Sequence, residues 1–117
     1  MILGKTFKID AAHFLPNHEG KCKNTHGHTW TVTVEVSGPL KQEGPACGMV
    51  MDLKDLSEIV HLVLDRLDHK LVNSIVENPT CENLAQWLDE QISLGLPEDV
   101  YITSVKVQEG DGGYTRC

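Results

Sequence analysis

The stretch HGHTWTVTVEV (residues 26–36) alternates two kinds of side chain along its length. Two histidines, Trp30 and three valines share one parity, while threonines and Glu35 share the other. Alternation at a period of two is typical of a β-strand with one buried face. Gly27, between the two histidines, removes a side chain from the opposite face. This stretch predicts a long strand whose buried face begins with two imidazoles.

Residues 6–14 and 100–109 also alternate and predict two further strands. His13 ends the apolar face of the first, which begins with Phe7, Ile9 and Ala11. The predicted single side of the last strand consists of Tyr101, Thr103, Val105, Val107 and Glu109. A short fourth strand is expected around residues 49–51.

Two amphipathic helices are predicted between these strands. Asp52 and Thr80 are residue types that cap helix N-termini, and Gly95 is a stop signal for the second helix. Apolar residues follow each cap at helical spacing: Leu53, Leu56, Val60, Val63, Leu64, Leu67 and Leu71, then Leu84, Ala85, Leu88 and Ile92. Segregated strands and helices indicate an α+β fold, an antiparallel sheet with helices on one face.

Composition sets the class of protein. The chain has 117 residues, which predicts a single domain over residues 1–117, and its formal charge is -7. So acidic a chain disfavours nucleic acids and anionic membranes as partners. No apolar run is long enough to span a membrane, and the N-terminus lacks the pattern of a signal peptide. Four cysteines without a C-x-x-C pair then predict free thiols and a cytoplasmic protein.

A metal site is the first chemical prediction. His26 and His28 are two residues apart on a strand, so their imidazoles point to the same side. If the first two strands pair as antiparallel neighbours, His13 joins them at one end of the sheet. Three imidazoles with an open fourth position are typical of catalytic zinc, although imidazole also suits iron, nickel and copper. The alternative is a chance H-x-H pair; His18 and His61 are expected to have no role.

A reactive thiol is the second prediction. Cys22 lies between Lys21 and Lys23, four residues before His26. Two ammonium groups and a nearby metal cation favour the thiolate, which is the nucleophilic and basic form. The alternative is an exposed and inert thiol.

Two acidic positions complete the set of candidates. Asp68 and His69 could pair, so that the carboxylate fixes the tautomer of the imidazole. Adjacent side chains diverge on a regular helix, so this pairing needs an irregular turn; otherwise both are solvated. Glu109 has the apolar parity of the last strand, where a carboxylate is costly unless it has a partner. It could accept two hydrogen bonds from a heterocycle, or the strand could simply end at Val107.

These residues together resemble the 6-pyruvoyl-tetrahydropterin synthase family, and within it the 6-carboxytetrahydropterin synthase branch. The resemblance covers nearly the whole chain. It is carried, in order, by FKIDAAH (7–13), CKNTHGH (22–28), GMVMD (48–52), LDH (67–69), PTCEN (79–83) and VQE (107–109).

The resemblance implies a role for each position. His13, His26 and His28 would hold zinc. Cys22 would act as catalytic base or acid, and Asp68 with His69 would relay protons. Glu109 would bind the pterin ring, with Thr80 close by and Glu82 as a further member of the pocket. We refer to these three residues as the substrate-binding set.

The resemblance also implies an architecture. Members of the family have the tunnelling fold, in which a four-stranded antiparallel sheet with two helices on one side joins its neighbours to close a barrel. The expected assembly is a homohexamer, a dimer of trimers, with active sites between subunits.

The branch depends on the spacing around Cys22. Three residues separate it from His26, as in the carboxy branch; a longer spacing resembles the pyruvoyl enzymes, and a glutamate variant resembles enzymes that cleave dihydroneopterin. The implied reaction converts 7,8-dihydroneopterin triphosphate to 6-carboxytetrahydropterin, acetaldehyde and triphosphate. Positive charge for the triphosphate could come from Lys21, Lys23, Arg66 or Arg116. The alternatives are a 6-pyruvoyl-tetrahydropterin synthase, or a non-catalytic zinc-binding module, which would normally have four protein ligands.

Overall fold

A four-stranded antiparallel sheet forms the centre of the computed structural model, which describes residues 1–117. The strands lie side by side in chain order: β1 (Ile2–His13), β2 (His26–Ser37), β3 (Tyr101–Glu109) and β4 (Tyr114–Arg116). Two helices, α1 (Leu53–Leu64) and α2 (Cys81–Ser93), come between β2 and β3 in the chain. Buried residues of the helices and of the sheet form one core, so the predicted α+β architecture is confirmed.

The hairpin of β1 and β2 dominates the sheet. Its twelve residue pairs run without a shift from Ile2 opposite Ser37 to His13 opposite His26. The predicted inward faces are buried in both strands: Phe7, Ile9, Ala11 and His13 in β1, and Trp30, Val32, Val34 and Val36 in β2. Each large apolar side chain removed from water here contributes roughly 1.5–3 kcal/mol. The alternation in the sequence therefore determines which face of each strand packs against the core.

Both helices begin at the predicted caps. A carboxylate oxygen of Asp52 accepts a hydrogen bond from the Lys54 N–H at 2.8 Å, and the Thr80 hydroxyl accepts one from the Asn83 N–H at 3.1 Å. These side chains satisfy N–H groups that have no partner within the helix. The predicted stripe of α2 is buried throughout: Leu84, Ala85, Leu88 and Ile92.

The first helix is shorter than its apolar spacing predicts. It ends at Leu64, and Leu71 is partly exposed and forms a parallel bridge with Ala12 of β1. Leu67 is buried although it lies beyond the helix. The chain leaves the helical path because its backbone bonds to the edge of β1 instead: the His69 N–H donates to the Asp10 carbonyl at 2.6 Å.

The fourth strand predicted around residues 49–51 does not form. Residues 49–51 form a bend, held by two backbone hydrogen bonds between Lys41 and residues 48 and 49. Val50 and Met51 are buried, which accounts for their apolar character, but Gly48 has a φ of +82° and turns the chain before a strand can form. The fourth strand is β4 instead, which pairs with β3 across a turn at residues 110–113.

The predicted single side of β3 is also partly wrong. Glu35 pairs with Ser104 and Val36 with Ile102, so Thr103 is an extra residue in a β-bulge. Because a bulge reverses the alternation, Tyr101 and Thr103 are exposed, whereas Val105 and Val107 remain buried.

Two further features concern the chain as a whole. Neither helix has the length and apolar character that a membrane crossing requires. All four cysteines are unpaired thiols, as the sequence predicts.

Candidate active site

Three histidines meet at one end of the β1–β2 hairpin. His13 is the last residue of β1, and it lies opposite His26, the first residue of β2. His28 faces the same side two residues later. One ring nitrogen from each histidine lies within 4.8 Å of the others. The convergence predicted from the alternation of the two strands is confirmed, and we refer to these residues as the histidine triad.

Backbone carbonyls orient two of the rings. His13 Nδ1 lies 2.8 Å from the Pro79 carbonyl oxygen, and His26 Nδ1 lies 2.7 Å from that of Asn24. A carbonyl only accepts, so each Nδ1 carries the proton and each Nε2 keeps a free lone pair. Metal-binding histidines commonly donate their other ring N–H to a backbone carbonyl in this way, which fixes the orientation of the ring. Burial lowers the pKa of His13, which favours the neutral form that binds metals.

The triad has the chemistry of a metal site. The Nε2 atoms of His13 and His28 are buried and have no hydrogen-bond partner. A buried polar atom without a partner is costly, so two of them facing one point indicate a missing ligand. Three neutral imidazoles with room for a fourth ligand suit a catalytic zinc ion.

Trp30 forms the floor beneath the triad. Its ring centroid lies 4.8 Å from that of His13 and 5.3 Å from that of His28. The indole N–H donates to the Ala11 carbonyl at 3.1 Å, so this fully buried ring is held in place across the hairpin. Trp30 therefore limits the rotation of two of the three imidazoles.

Glu109 reaches the triad from the neighbouring strand. It pairs with Trp30 across the β2–β3 ladder, which places it beside the same end of the sheet. Its Oε1 lies 3.8 Å from His13 Nε2 and its Oε2 lies 3.9 Å from His28 Nε2. The strand therefore does not end at Val107, and the carboxylate lies beside two triad imidazoles without a hydrogen bond to either.

A cavity of about 410 Å³ extends from Glu109. It brings together all three residues of the predicted substrate-binding set, Thr80, Glu82 and Glu109, and it includes Cys81. Burial and the carboxylates of Glu109 and Glu82 raise the pKa of Cys81 to about 12, so the thiol keeps its proton. The sequence analysis did not predict that Cys81 and residues 113–115 line this cavity. For residues 113–115, the available signal was the glycine-rich turn before Tyr114, which indicates that the chain folds back along β3 there.

The predicted pair of Asp68 and His69 forms in the irregular turn after α1. His69 Nδ1 lies 3.0 Å from Asp68 Oδ1, and His69 has a φ of +59°. Asp68 also accepts a hydrogen bond from the Asp10 N–H at 2.9 Å. This backbone bond and the His69 imidazole hold the pKa of Asp68 below its usual value. We refer to the two residues as the Asp–His dyad.

His69 of the dyad and Glu109 line different cavities of the chain. His69 lines a cavity of about 660 Å³ at the edge of β1, together with Asp10 and Thr29. Those two side chains have the parity opposite to His13 and His28, so they lie on the other face of the sheet. Of the triad, only His28 borders this cavity. Within one chain, His69 and Glu109 therefore do not border the same cavity.

Cys22 lies on a short 3-10 turn, Lys21–Lys23, and is half-buried. Its carbonyl accepts a hydrogen bond from the Leu15 N–H at 2.8 Å, which ties this turn to the end of β1. Cys22 lines neither cavity. His18 and His61 stand apart from the triad: His18 Nδ1 accepts from the Gly20 N–H, and His61 packs edge-on against Phe7.

Comparisons with known proteins agree on one family. The model of the family described as 6-pyruvoyl tetrahydropterin synthase matches residues 2–117. A putative 6-carboxy-5,6,7,8-tetrahydropterin synthase of Archaeoglobus fulgidus is 45% identical over 95% of this chain and 90% of its own length. A dihydroneopterin monophosphate aldolase of Pyrococcus furiosus is 39% identical over 88% of this chain and 84% of its own length.

Solved structures show the same fold. The structure of 6-pyruvoyl tetrahydropterin synthase from Caenorhabditis elegans superimposes with a TM-score of 0.86 at 26% identity. The match covers 100% of this chain and 94% of that one, so the two chains share the same overall fold.

Proposed function

Because the chain belongs to the 6-pyruvoyl tetrahydropterin synthase family, we propose that it is a zinc-dependent 6-carboxy-5,6,7,8-tetrahydropterin synthase. It would convert 7,8-dihydroneopterin triphosphate to 6-carboxytetrahydropterin, acetaldehyde and triphosphate, in the synthesis of a 7-deazapurine precursor such as that of queuosine. The observation that carries this proposal is the histidine triad, with two buried and unpartnered Nε2 atoms, beside Glu109, which lines a cavity of about 410 Å³.

Substrate binding is assigned to the cavity of about 410 Å³. The Glu109 carboxylate would accept hydrogen bonds from the 2-amino group and N3 of the pterin ring. Thr80 and Glu82 border the same space and would complete the substrate-binding set. Glu109 also lies beside the triad, so the proposed pterin contact and the proposed metal site adjoin each other.

The metal is assigned to His13, His26 and His28. Bound zinc supplies Lewis-acid chemistry, which acidifies carbon-bound protons next to an oxygen that it polarises. The chain's own contribution is orientation. Two backbone carbonyls and the Trp30 ring hold the imidazoles, and each Nε2 is left free to bind.

Proton transfer is assigned to Cys22 and to the Asp–His dyad, on opposite faces of the substrate. Asp68 would hold the tautomer and orientation of His69, which is exposed and able to exchange protons. Because His69 and Glu109 line different cavities, the proposed site draws on more than one subunit. The triphosphate would lie near Lys21 and Lys23, since Arg66 is engaged with Gln91 and Trp87.

The proposed assembly is a homohexamer of single-domain chains, residues 1–117, in which sheets of neighbouring subunits close a barrel. The outer edge of β1 supports it, because its only bridge outside the sheet is the one between Ala12 and Leu71. A strand with unpaired backbone groups is a template for pairing with another chain. Four unpaired thiols support a cytoplasmic location, where thiols remain reduced.

Product analysis tests the proposed activity. The zinc-loaded protein is incubated with 7,8-dihydroneopterin triphosphate, and the pterins and trapped aldehydes are identified by mass spectrometry. We expect 6-carboxytetrahydropterin together with acetaldehyde. A product that retains all carbons of the side chain would instead assign the chain to the pyruvoyl branch.

The P. furiosus relative supports a second candidate, dihydroneopterin monophosphate aldolase activity, because its similarity also extends over most of the chain. The same assay with dihydroneopterin monophosphate separates the two. Cleavage of the monophosphate without formation of 6-carboxytetrahydropterin from the triphosphate would favour the aldolase. Zinc bound without turnover of either compound would favour a non-catalytic module.

A further inference from the structure

The Glu109 carboxylate faces both the triad and the cavity. We propose that Glu109 is a ligand of the metal while the cavity holds no pterin, and that a bound pterin draws this carboxylate away from the metal. The inference rests on the proposed zinc site and on the proposed pterin contact of Glu109. What is new is that the Glu109 carboxylate takes part in both sites, so that metal binding and pterin binding compete for it.

Glu109 lies within reach of the triad on the side of His13 and His28. Glu109 Oε1 lies 3.8 Å from His13 Nε2, and Oε2 lies 3.9 Å from His28 Nε2. Neighbouring ligand atoms around tetrahedral zinc are separated by roughly 3.4 Å, given metal–ligand bonds of about 2.0–2.2 Å. Each oxygen is close to one nitrogen only, so the side chain must rotate to bring a single oxygen towards all three imidazoles, which a change in its torsions can supply.

The charges favour the same arrangement. The side chain of Glu109 is 32% exposed, and its only ion-pair partners within 4.0 Å are the two triad histidines. No lysine or arginine pairs with the carboxylate. A metal cation among the three imidazoles is the positive charge that this partly buried carboxylate lacks.

Competition for Glu109 couples the two ligands. A carboxylate that accepts hydrogen bonds from a pterin ring is drawn away from the metal, and a coordination position opens when the substrate arrives. By linkage, a pterin that displaces Glu109 and supplies no ligand of its own must weaken metal binding, and the metal must weaken binding of that pterin equally.

A cobalt-substituted protein tests the coordination. The visible spectrum of the Co²⁺-loaded full chain is compared with that of Glu109→Gln, and zinc affinity is measured by competition with a chelator. We expect an altered spectrum and zinc binding weakened at least about tenfold, the range seen when partners of a metal site are removed. Asp111→Asn removes one negative charge from the exposed turn two residues away and should match the wild type in both measurements.

The wild-type protein supplies a second test that does not depend on a variant. Pterin without a C6 side chain is added to the Co²⁺-loaded protein. We expect the spectrum to shift towards that of Glu109→Gln and zinc affinity to fall, whereas the spectrum of Glu109→Gln itself does not change.

Two results overturn the inference. One is a cobalt spectrum and zinc affinity that Glu109→Gln leaves unchanged; the other is a wild-type spectrum that no concentration of pterin alters. Thermal unfolding verifies that Glu109→Gln is folded, and if it is not, the wild-type titration decides. None of these measurements involves turnover, so a failed product assay and a failed coordination test are distinguishable.

Discussion

His69 Nδ1 lies 3.0 Å from Asp68 Oδ1, although the two residues are adjacent in the chain. A φ of +59° at His69 turns the two side chains towards each other. Such a backbone conformation is uncommon outside glycine, and histidine is among the residues that tolerate it. Asp10 holds it in place, because its carbonyl accepts from the His69 N–H and its N–H donates to the Asp68 carboxylate. The dyad is therefore fastened to the edge of β1.

We expect Asp68→Ala to lower the free energy of unfolding by about 1 kcal/mol at neutral pH, because a partly exposed hydrogen bond to the Asp10 N–H is lost. The folded pKa of Asp68 lies below its usual 3.8, so the folded protein binds fewer protons. The contribution of Asp68 to stability is therefore complete above pH 3.8, the pKa of the unfolded chain. It disappears as the pH falls through the lower pKa that Asp68 has in the folded protein.

Urea unfolding of the wild type and Asp68→Ala from neutral pH into this acidic range measures the effect. Asp111→Ala is the control, because Asp111 is an exposed carboxylate on the β3–β4 turn. A difference between wild type and Asp68→Ala that is the same at neutral and strongly acidic pH would contradict the role assigned to the charged carboxylate.

The proposed sharing of each site between subunits predicts that two inactive variants can complement each other. Glu109→Gln and His69→Ala should each be inactive alone, because each lacks one part of every site. Subunits of the two variants that are unfolded and refolded together at equal amounts should regain roughly a quarter of wild-type activity, since that fraction of shared sites receives both intact parts in a closed symmetric assembly. Activity that stays at the level of the separate variants would place the whole site within one chain.

Removing one triad ligand should remove the metal. His28→Ala leaves two imidazoles, and we expect less than stoichiometric zinc after dialysis because catalytic zinc sites need three protein ligands. Metal analysis of the purified protein measures this. His18→Ala, which alters an exposed histidine of the loop before Cys22, should retain stoichiometric zinc. Full zinc content in His28→Ala would refute the ligand assignment.

Cys81 should react slowly with thiol reagents. With a pKa of about 12, roughly one Cys81 in ten thousand is a thiolate at pH 8, and the thiolate is the reactive form. Alkylation followed by peptide mapping should show Cys81 modified much more slowly than the exposed Cys47. Glu109→Gln removes a neighbouring carboxylate and should increase the rate at Cys81. Equal rates at Cys81 and Cys47 in the wild type would contradict the raised pKa.

The parts of the fold that local patterns determine were predictable. The β1–β2 faces, both helix caps and the stripe of α2 follow from alternation, capping chemistry and helical spacing. The inward side of β3 could not be predicted, because the bulge at Thr103 depends on how β3 pairs with β2. No feature of residues 100–109 alone signals that extra residue.

Short elements and long-range contacts account for the other differences. Val50 and Met51 are apolar because they are buried, and burial alone does not make a strand. Tyr114–Arg116 is too short to alternate visibly and depends on its pairing with β3. The histidine triad could be predicted because its members are in phase on neighbouring strands. Its contact with Glu109 depends on β2–β3 pairing across more than seventy residues, which local patterns do not encode.

Metal binding depends on the register in which β1 pairs with β2. If the hairpin formed one residue out of step, His13 would turn to the opposite face of the sheet while His26 and His28 kept theirs. A slipped hairpin has no triad, so a metal ion stabilises only the correctly aligned chain. A bound ion would thus select the native strand register, because it stabilises the native hairpin and not the misaligned ones, before any pterin is bound.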